Sequence, residues 1–195
     1  MPKPAEKSTV KKTPKAKTIG AQPENPAQLI VDGKVADNQW NLLPLTGEEE
    51  VSADNLVAGK IILPASVWLA LREALQDRKQ EIGVWLDSDE TADLIGEYAG
   101  ELPLIAAHFP AFTDGRGFTA ARLLRERYGF TGEMRAVGNF IRDQLSYLTR
   151  CGFNAFAFQG EQPLSALTES LRDFSDSYQA AVDQPLPIHR RRALA

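Results

Sequence analysis

The sequence predicts an α/β fold of about five βα units with a parallel sheet, preceded by a β-hairpin. From Lys60 onward, short apolar runs alternate with segments of helical periodicity, which is typical of βα units. Before that point, Asp32-Gly33 separates two apolar runs, which is a strong short-range hairpin signal. Both an open three-layer sheet and a partial barrel satisfy these patterns.

The five βα strands and their helices follow from the same periodicities. The predicted strands are KIILP (60–64), IGVWL (82–86), LIAAHF (104–109), EMRAV (133–137) and NAFAF (154–158). Apolar stripes that mark core-facing helix faces comprise Val67, Leu71 and Leu75; Leu94, Ile95 and Tyr98; and Ile141, Leu145 and Leu148. Gly152 is placed to stop the third helix, and Pro163 fits the first turn of a last one.

The 195 residues suit a single α/β domain at 27–182 with a polar segment at each end. Residues 1–26 hold six lysines and two glutamates with almost no large apolar residues, which predicts a disordered basic tail. Residues 183–195 form a basic C-terminal tail. The net charge of −4 leaves the chain after residue 26 at −8, which argues against nucleic-acid binding by the domain.

Composition also narrows the class of protein. No run of about 18 apolar residues and no signal-peptide pattern occur, so we expect a cytoplasmic protein that does not enter a membrane. One cysteine and two histidines supply neither an internal disulfide, nor iron–sulfur ligands, nor the spacing of a metal site. No cofactor is required by the sequence, flavin and NADP stay open, and the oligomeric state is not indicated.

In parallel α/β folds, ligands bind where strands end and helices begin. The residues expected at these ends are Asp87, Ser88 and Asp89; Thr113, Asp114, Arg116 and Gly117; Gly138, Asn139 and Arg142; and Gln159. Only Arg116 and Arg142 among them are positively charged. We therefore predict an anion- or cofactor-binding site, with no catalytic residue and no metal ligand assigned, at Asp114, Gly115, Arg116, Gly117, Asn139 and Arg142.

Residues 115–120, GRGFTA, match the G-x-G-x-x-G/A dinucleotide fingerprint only formally. Five residues separate the strand from the first glycine, and the next strand ends in Gly138-Asn139 instead of an acidic residue. The alternative is a ligand-free turn in which Asp114 caps the helix and compensates Arg116, and the glycines permit a tight, left-handed backbone. A functional anion site and internal pairing of Arg116 both stay open.

The cysteine and the histidines have structural interpretations. Cys151 lies on the apolar side of a helix end and is expected to be a buried thiol. His108 lies within an apolar strand, which favours a packed side chain over a base, and His189 belongs to the C-terminal tail. Neither histidine has a neighbouring serine or carboxylate that would indicate a catalytic triad.

A longer block, FPAFTDGRGFTAARLLRERYGFTGEMRAVGNFIRDQLSYLTRCGFNAF at 109–156, resembles a bacterial family whose members are labelled as an oxidoreductase probably involved in sulfite reduction. The resemblance rests on FTDGRG, LLRERYG, RAVG, RDQL and RCGF, and extends less distinctly over about residues 28–190. It implies a role beside assimilatory sulfite reductase in sulfate assimilation. It carries no catalytic residues over, and Asn139 stands where members of that family often have aspartate.

Chemistry limits that role. Reduction of sulfite to sulfide takes six electrons, and this chain has no cluster motif or haem-ligand set of its own. We therefore expect an accessory protein that contacts sulfite reductase or its electron donor. A nucleotide- or flavin-dependent oxidoreductase of the same pathway and a non-catalytic scaffold are the alternatives.

Overall fold

A computed structural model describes residues 23–44 and 52–194. Most of the predicted N-terminal tail, residues 1–22, lies outside the described residues. All strands within the described residues belong to one eight-stranded sheet with the order β2-β1-β8-β7-β6-β5-β4-β3. The strands are β1 Gln28–Val31, β2 Lys34–Asp37, β3 Asn41–Leu42, β4 Ile61–Pro64, β5 Ile82–Leu86, β6 Leu104–Phe109, β7 Glu133–Gly138 and β8 Ala155–Ala157.

The predicted parallel sheet is confirmed. Neighbouring strands from β3 to β8 all pair in parallel, in the order in which they occur along the chain. The five predicted βα strands correspond to β4 to β8. The sequence patterns missed β3, because its two residues are too few to show a period.

The predicted hairpin is formed by β1 and β2. Asp32 and Gly33 both have positive φ, at 49° and 74°, as a two-residue turn with the twist of the flanking strands requires. β1 also pairs antiparallel with β8, so the hairpin extends the parallel sheet at its last strand. A hydrogen bond of 2.9 Å from the Asn154 amide to the Asp32 carboxylate ties the turn to the start of β8.

The helices are short. They are α1 Ala65–Leu71, α2 Arg116–Glu126, α3 Leu145–Arg150, α4 Leu164–Ser170 and α5 Ile188–Leu194. Turns of 3-10 helix span Ala53–Asn55, Gln76–Glu81, Ala92–Leu94, Gly96–Glu101 and Arg142–Gln144. Helix α5 lies inside the expected C-terminal tail. No helix of the described ranges is long and apolar enough to cross a membrane.

Between β5 and β6 the structure has two 3-10 turns where the apolar stripe predicts a helix face. Gly96 and Gly100 lower the helix propensity of this short connection. Ile95 is still fully buried, whereas Leu94 is partly exposed. The stripe therefore identified a core residue but not the type of helix.

The sheet is curled into a half-barrel, so the partial barrel is the closure that this chain adopts. The helices contribute to one large apolar cluster, whose strand residues include Leu63, Val84 and Ile105. Alternating residues of the strands and Trp40, which precedes β3, form a second, smaller cluster without helical residues: Trp40, Ile62, Trp85, Leu104, Ala106, Val137 and Ala157. We call the side of the sheet with this cluster the inner face.

A short connection accounts for the curling. Only residues 38–40 join β2 to β3, which are the two edge strands of the sheet. Four peptide steps span at most about 14 Å, whereas the outer strands of a flat eight-stranded sheet would lie roughly 34 Å apart. Trp40 of this connection packs in the inner-face cluster. The edges must therefore approach each other, and the inner face becomes enclosed without a helical layer.

The predicted helix stop at Gly152 is confirmed. Gly152 has φ 102°, and its amide donates to the carbonyl of Thr149 at 2.9 Å. The Phe153 amide donates to the carbonyl of Leu148 at 3.1 Å. These two bonds are the Schellman pattern, and the buried Phe153 provides the apolar contact that accompanies it.

Gly117→Ala should lower the free energy of unfolding by about 1–3 kcal/mol, because the core has no space for an added methyl group. A β-carbon at position 117 would lie 2.6 Å from Cζ of the buried Phe109 ring. Gly100→Ala is the matched control, since a β-carbon there would have no neighbour within 4 Å. Urea unfolding of both variants measures the difference, and equal midpoints would contradict tight packing of α2 on β6.

Candidate functional site

Polar side chains meet at the carboxyl ends of β5 and β6. Asp87 directly follows β5, and His108 lies near the end of β6. The parallel register pairs Leu86 with Ala107, so the next residues, Asp87 and His108, lie side by side. The Asp87 Oδ1 atom is 2.9 Å from His108 Nδ1, and both side chains are buried. The adjacent strands thus form a buried Asp–His pair.

The backbone around Asp87 holds its carboxylate in place. Oδ1 accepts a 2.7 Å hydrogen bond from the Ser88 amide, while the Asp87 amide donates to Glu90 Oε2 at 2.8 Å. Burial raises the pKa of Glu90, and the hydrogen bond from the Asp87 amide offsets part of that rise. The turn after β5 therefore orients one carboxylate towards His108 with a second carboxyl group beside it.

The His108 ring is oriented by its packing. Its side chain is 0% exposed, and it meets the Trp85 ring edge-on, with ring centroids 5.8 Å apart. Because an ionised carboxylate only accepts hydrogen bonds, Asp87 favours the tautomer with the proton on Nδ1. His108 is packed, as expected, but the expectation that no carboxylate neighbours it was wrong. Residues 21 positions apart become neighbours through strand register.

Asp114 and Arg116 form an ion pair at the start of α2. The Asp114 carboxylate accepts hydrogen bonds from the Arg116 amide at 3.1 Å, from Nε at 3.0 Å and from Nη2 at 2.6 Å. The hydrogen bond from the Arg116 side chain holds the pKa of Asp114 at about 2, below its ordinary 3.8. Arg116 is thus compensated by the acid considered from the sequence, although its side chain stays 50% exposed.

The two glycines of the GRG element do not adopt the left-handed conformation that glycine would permit. Gly115 has φ −91° and Gly117 is a regular residue of α2. Gly117 is required because its Cα packs against the Phe109 ring. In a dinucleotide fingerprint the second glycine lets the backbone approach a pyrophosphate, whereas here the glycine serves helix–strand packing.

Ser88 joins the two pairs. Its Oγ accepts a hydrogen bond of 2.9 Å from Arg116 Nη2, and its amide donates to Asp87. A continuous chain of hydrogen bonds therefore runs from Asp114 and Arg116 through Ser88 and Asp87 to His108. We call these five residues the carboxyl-end chain.

The remaining predicted polar site residues, Asn139 and Arg142, make hydrogen bonds to other partners. The exposed Asn139 donates from its side chain to the carbonyl of Pro110 at 3.0 Å. Arg142 Nε donates to Ser170 Oγ at 2.7 Å, and its Nη2 lies 3.8 Å from Asp173. Arg116 and Arg142 therefore have separate partners, and no contact that the structure records joins them.

Aromatic and apolar side chains surround the same edge. Phe112 and Tyr147 are each 55% exposed and Ile141 is 41% exposed. Tyr147 packs on Phe118 of α2 with centroids 4.9 Å apart, and the Gln144 side chain donates to the carbonyl of Phe112 at 2.8 Å. We call Phe112, Phe118, Ile141 and Tyr147 the aromatic rim. Exposed apolar residues grouped in this way are typical of an interaction surface.

Cys151 is buried, as expected. Burial raises the pKa of its thiol. A raised pKa keeps the sulfur protonated, and the thiolate is the reactive form of cysteine. Cys151 therefore contributes packing at the end of α3.

These observations define the class: an α/β half-barrel protein with a buried Asp–His pair and a surface Asp–Arg pair at the carboxyl ends of its parallel strands. Residues 83–189 match the family described as "Bacterial protein of unknown function (DUF934)". The chain belongs to this family, and the matched residues contain both pairs. No curated protein matches the chain, and no solved structure matches it.

Asp114→Asn should lower the free energy of unfolding by about 1 kcal/mol at pH 7, allowing for the solvent exposure of Arg116. Because the pKa of Asp114 is lowered on folding, its contribution is complete above about pH 3.8 and is lost as the pH falls towards 2. Denaturant titrations over this range should show the two proteins converging in acid.

Asp173→Asn serves as the control for that series, because its carboxylate is only a distant partner of Arg142. We expect it to change stability by less than about 0.5 kcal/mol. A constant difference between wild type and Asp114→Asn from neutral to acid pH would contradict the ion pair.

Proposed function

We propose that this protein is an accessory protein of assimilatory sulfite reduction that holds a small oxyanion at the carboxyl-end chain and docks on sulfite reductase or its electron donor. The resemblance of residues 109–156 supports the pathway. The proposed site is inferred from one observation: the Arg116 guanidinium, at the first residue of α2, is half exposed and hydrogen-bonded to Ser88.

An oxyanion suits this position for two physical reasons. The amino end of α2 presents backbone amides and the positive end of the helix dipole, both of which favour negative charge. Arg116 already bonds Asp114 with a planar fork of donors, and a guanidinium recognises oxyanions with the same fork. An arriving anion would share Arg116 with Asp114.

The packing of Gly117 on Phe109 favours a small anion over a dinucleotide. A pyrophosphate needs the backbone of the helix start to be approachable at the second glycine. Here that side of the helix faces the core. The anion would instead sit at the Arg116 side chain, which points towards the exposed edge.

The aromatic rim supports docking at the same edge. Phe112 and Tyr147 leave about half of their surfaces in water, and burying such rings on a partner is favourable. A partner that docked on the rim would contact the same end of α2 as Arg116, because Phe118 of the rim lies two residues after Arg116 in that helix. Docking and oxyanion binding would then take place at one surface.

A strain that lacks the protein should grow normally on cysteine and sulfide but poorly on sulfate and sulfite. Sulfide enters after the six-electron step, so it bypasses the defect, whereas a defect in sulfate activation would leave growth on sulfite intact. Growth rates on the four sulfur sources measure this. Normal growth on sulfite would refute the proposed place in the pathway.

The same strain tests the site by complementation. Arg116→Ala should fail to restore growth on sulfite although it folds, because the Arg116 side chain is half exposed. Arg192→Ala, which removes an exposed arginine of α5, is the control and should restore growth fully. Full rescue by Arg116→Ala would show that the oxyanion site is not needed.

The Phe112→Ser, Tyr147→Ser double variant should lose retention of sulfite reductase or its electron donor on the immobilised protein. We expect at least about a ten-fold loss of affinity, since two buried rings of an interface each contribute 1 kcal/mol or more. Phe174→Ser, Tyr178→Ser is the control, because these rings are 73% and 74% exposed outside the rim. Equal loss in both variants, or no loss in either, would contradict docking through the rim.

A further inference from the structure

A groove separates the second half of α2 from residues 180–185, which we call the strap. Its volume is about 290 Å³, close to the lower end of the range for small-ligand sites. One wall is formed by three charged residues of α2: Arg122, Arg125 and Glu126. The other wall is formed by small apolar residues of the strap: Ala180, Ala181, Val182 and Pro185. The groove therefore places charged side chains opposite an apolar surface.

Hydrogen bonds fix the strap beside α3 and β8. The Val182 amide donates to the carbonyl of Arg150 at 3.1 Å, and Arg150 Nη2 donates to the carbonyl of Gln179 at 2.8 Å. Within the strap, the amides of Ala181 and Gln184 each donate to the carbonyl of the other, at 2.9 and 3.2 Å. The apolar wall is therefore tied to the fold at several points.

Gly152 lies where the two walls meet. A β-carbon at position 152 would lie 2.5 Å from Cγ of Arg125 and 3.2 Å from Cγ1 of Val182, so a side chain there would fill the space between them. Arg125 Nε donates to the carbonyl of Gly152 at 2.9 Å. The glycine therefore lets the Arg125 side chain and the apolar strap lie against the same piece of backbone.

The charge of Arg125 has no carboxylate in contact with it among the described residues. Its hydrogen bonds go to neutral oxygens, which are three carbonyls and one side-chain amide: Gly152, Phe130, Gly132 and Asn154. Burial lowers the pKa of the guanidinium, and the carboxylate that opposes this effect, Asp32, acts on it without a hydrogen bond. A partly buried cation in this position is stabilised by an added negative charge.

Arg122 is paired only weakly. Its Nε donates to Glu126 Oε2 at 3.0 Å, and the two side chains are 55% and 46% exposed. Water competes for such a surface ion pair, so it contributes little. Two arginines thus face one carboxylate in the wall of the groove, which leaves one positive charge uncompensated. The pair of Arg122 with Glu126 also shows that a carboxylate at this wall is within reach of the guanidinium.

We propose that this groove binds a small monocarboxylic acid with a compact apolar group. The ligand carboxylate lies at Arg122 and Arg125, where its single charge matches the uncompensated positive charge and shares Arg122 with Glu126. The apolar group packs on the strap, where it removes the surfaces of Ala180, Val182 and their neighbours from water. A second carboxylate on the ligand would be left without a cation.

This site is separate from the carboxyl-end chain and does not depend on the proposed function. Arg125 bonds to Gly132 and Asn154, which directly precede β7 and β8, so the groove lies at the amino ends of these strands. Arg116 lies at the other end of α2, beside the carboxyl ends of β5 and β6. The two sites can therefore be tested one at a time.

Benzoate, benzamide and acetate test the two halves of the ligand on the full chain. Benzamide lacks the charge of benzoate, and acetate lacks its ring. Benzoate should bind at millimolar concentration and at least about ten-fold more tightly than either of the others, because a hydrogen bond to a charged group and the burial of a ring each contribute that much. NMR titration measures the affinities, and the backbone amide signals of Gly152, Ala181 and Val182 should shift with benzoate.

Arg122→Gln should lower the affinity for benzoate at least about five-fold, because the ligand loses a charged donor. Arg192→Gln, which changes an exposed arginine of α5, is the control and should leave the affinity unchanged. Glu126→Gln should raise the affinity about two- to five-fold, since it releases Arg122 from its surface pair. All three side chains are exposed, so we expect the variants to fold, which thermal unfolding checks.

Arg116→Ala should bind benzoate as the wild type does. Loss of binding in Arg116→Ala but not in Arg122→Gln would place the acid at the carboxyl-end chain and overturn the proposal for the groove. Equal binding of benzoate and benzamide would also overturn it, as would unchanged affinity in both Arg122→Gln and Glu126→Gln. The same conclusion would follow if the signals of Gly152 and Val182 did not move at millimolar benzoate.

Discussion

The connection of three residues between β2 and β3 constrains the whole molecule. It joins the two edges of an eight-stranded sheet, so the sheet has to curl until those edges approach each other. Curling encloses the inner face, where Trp40 of the connection and Trp85 of β5 fill the space that a second layer of helices would occupy in an open sheet. The fold therefore buries both faces of its strands with helices on only one side.

Because the inner face is enclosed, polar side chains on it need hydrogen-bond partners within the protein. Arg135 is only 2% exposed there, and burial lowers the pKa of its guanidinium, so it needs the partners that it finds in Glu133 at 2.7 Å and Asn38 of the connection at 3.1 Å. His108 meets the same demand through Asp87 at one nitrogen only. Arg135 is thus paired within the fold, whereas Nε2 of His108 has no hydrogen-bond partner among the described residues.

Arg116 shows how a charge that is unfavourable for a helix is accommodated. A cation at a helix start opposes the helix dipole by some tenths of a kcal/mol, and Asp114 compensates it from two residues earlier. The pair stays at the surface beside the aromatic rim, where solvent weakens it and leaves the guanidinium able to share its donors. The proposed function depends on this balance between internal pairing and ligand binding.

The sequence by itself determined the elements: the hairpin turn at Asp32-Gly33, the five strands of the βα units, the helix stop at Gly152 and the arrival of Asp87, Asp114 and Gly138 at one edge of the sheet. These features depend on local backbone preferences and on the spacing of apolar residues, both of which can be read from residues close together in the sequence. Tertiary structure alone decided the half-barrel closure, the aromatic rim and the pairing of Asp87 with His108. The register that brings Asp87 beside His108 is set by how two strands pack, and no short-range pattern encodes a contact across 21 residues. Gly117 of the GRG element is a second example of a role decided by tertiary structure. Glycine is needed there because a side chain would clash with the Phe109 ring, and not because a phosphate approaches the backbone.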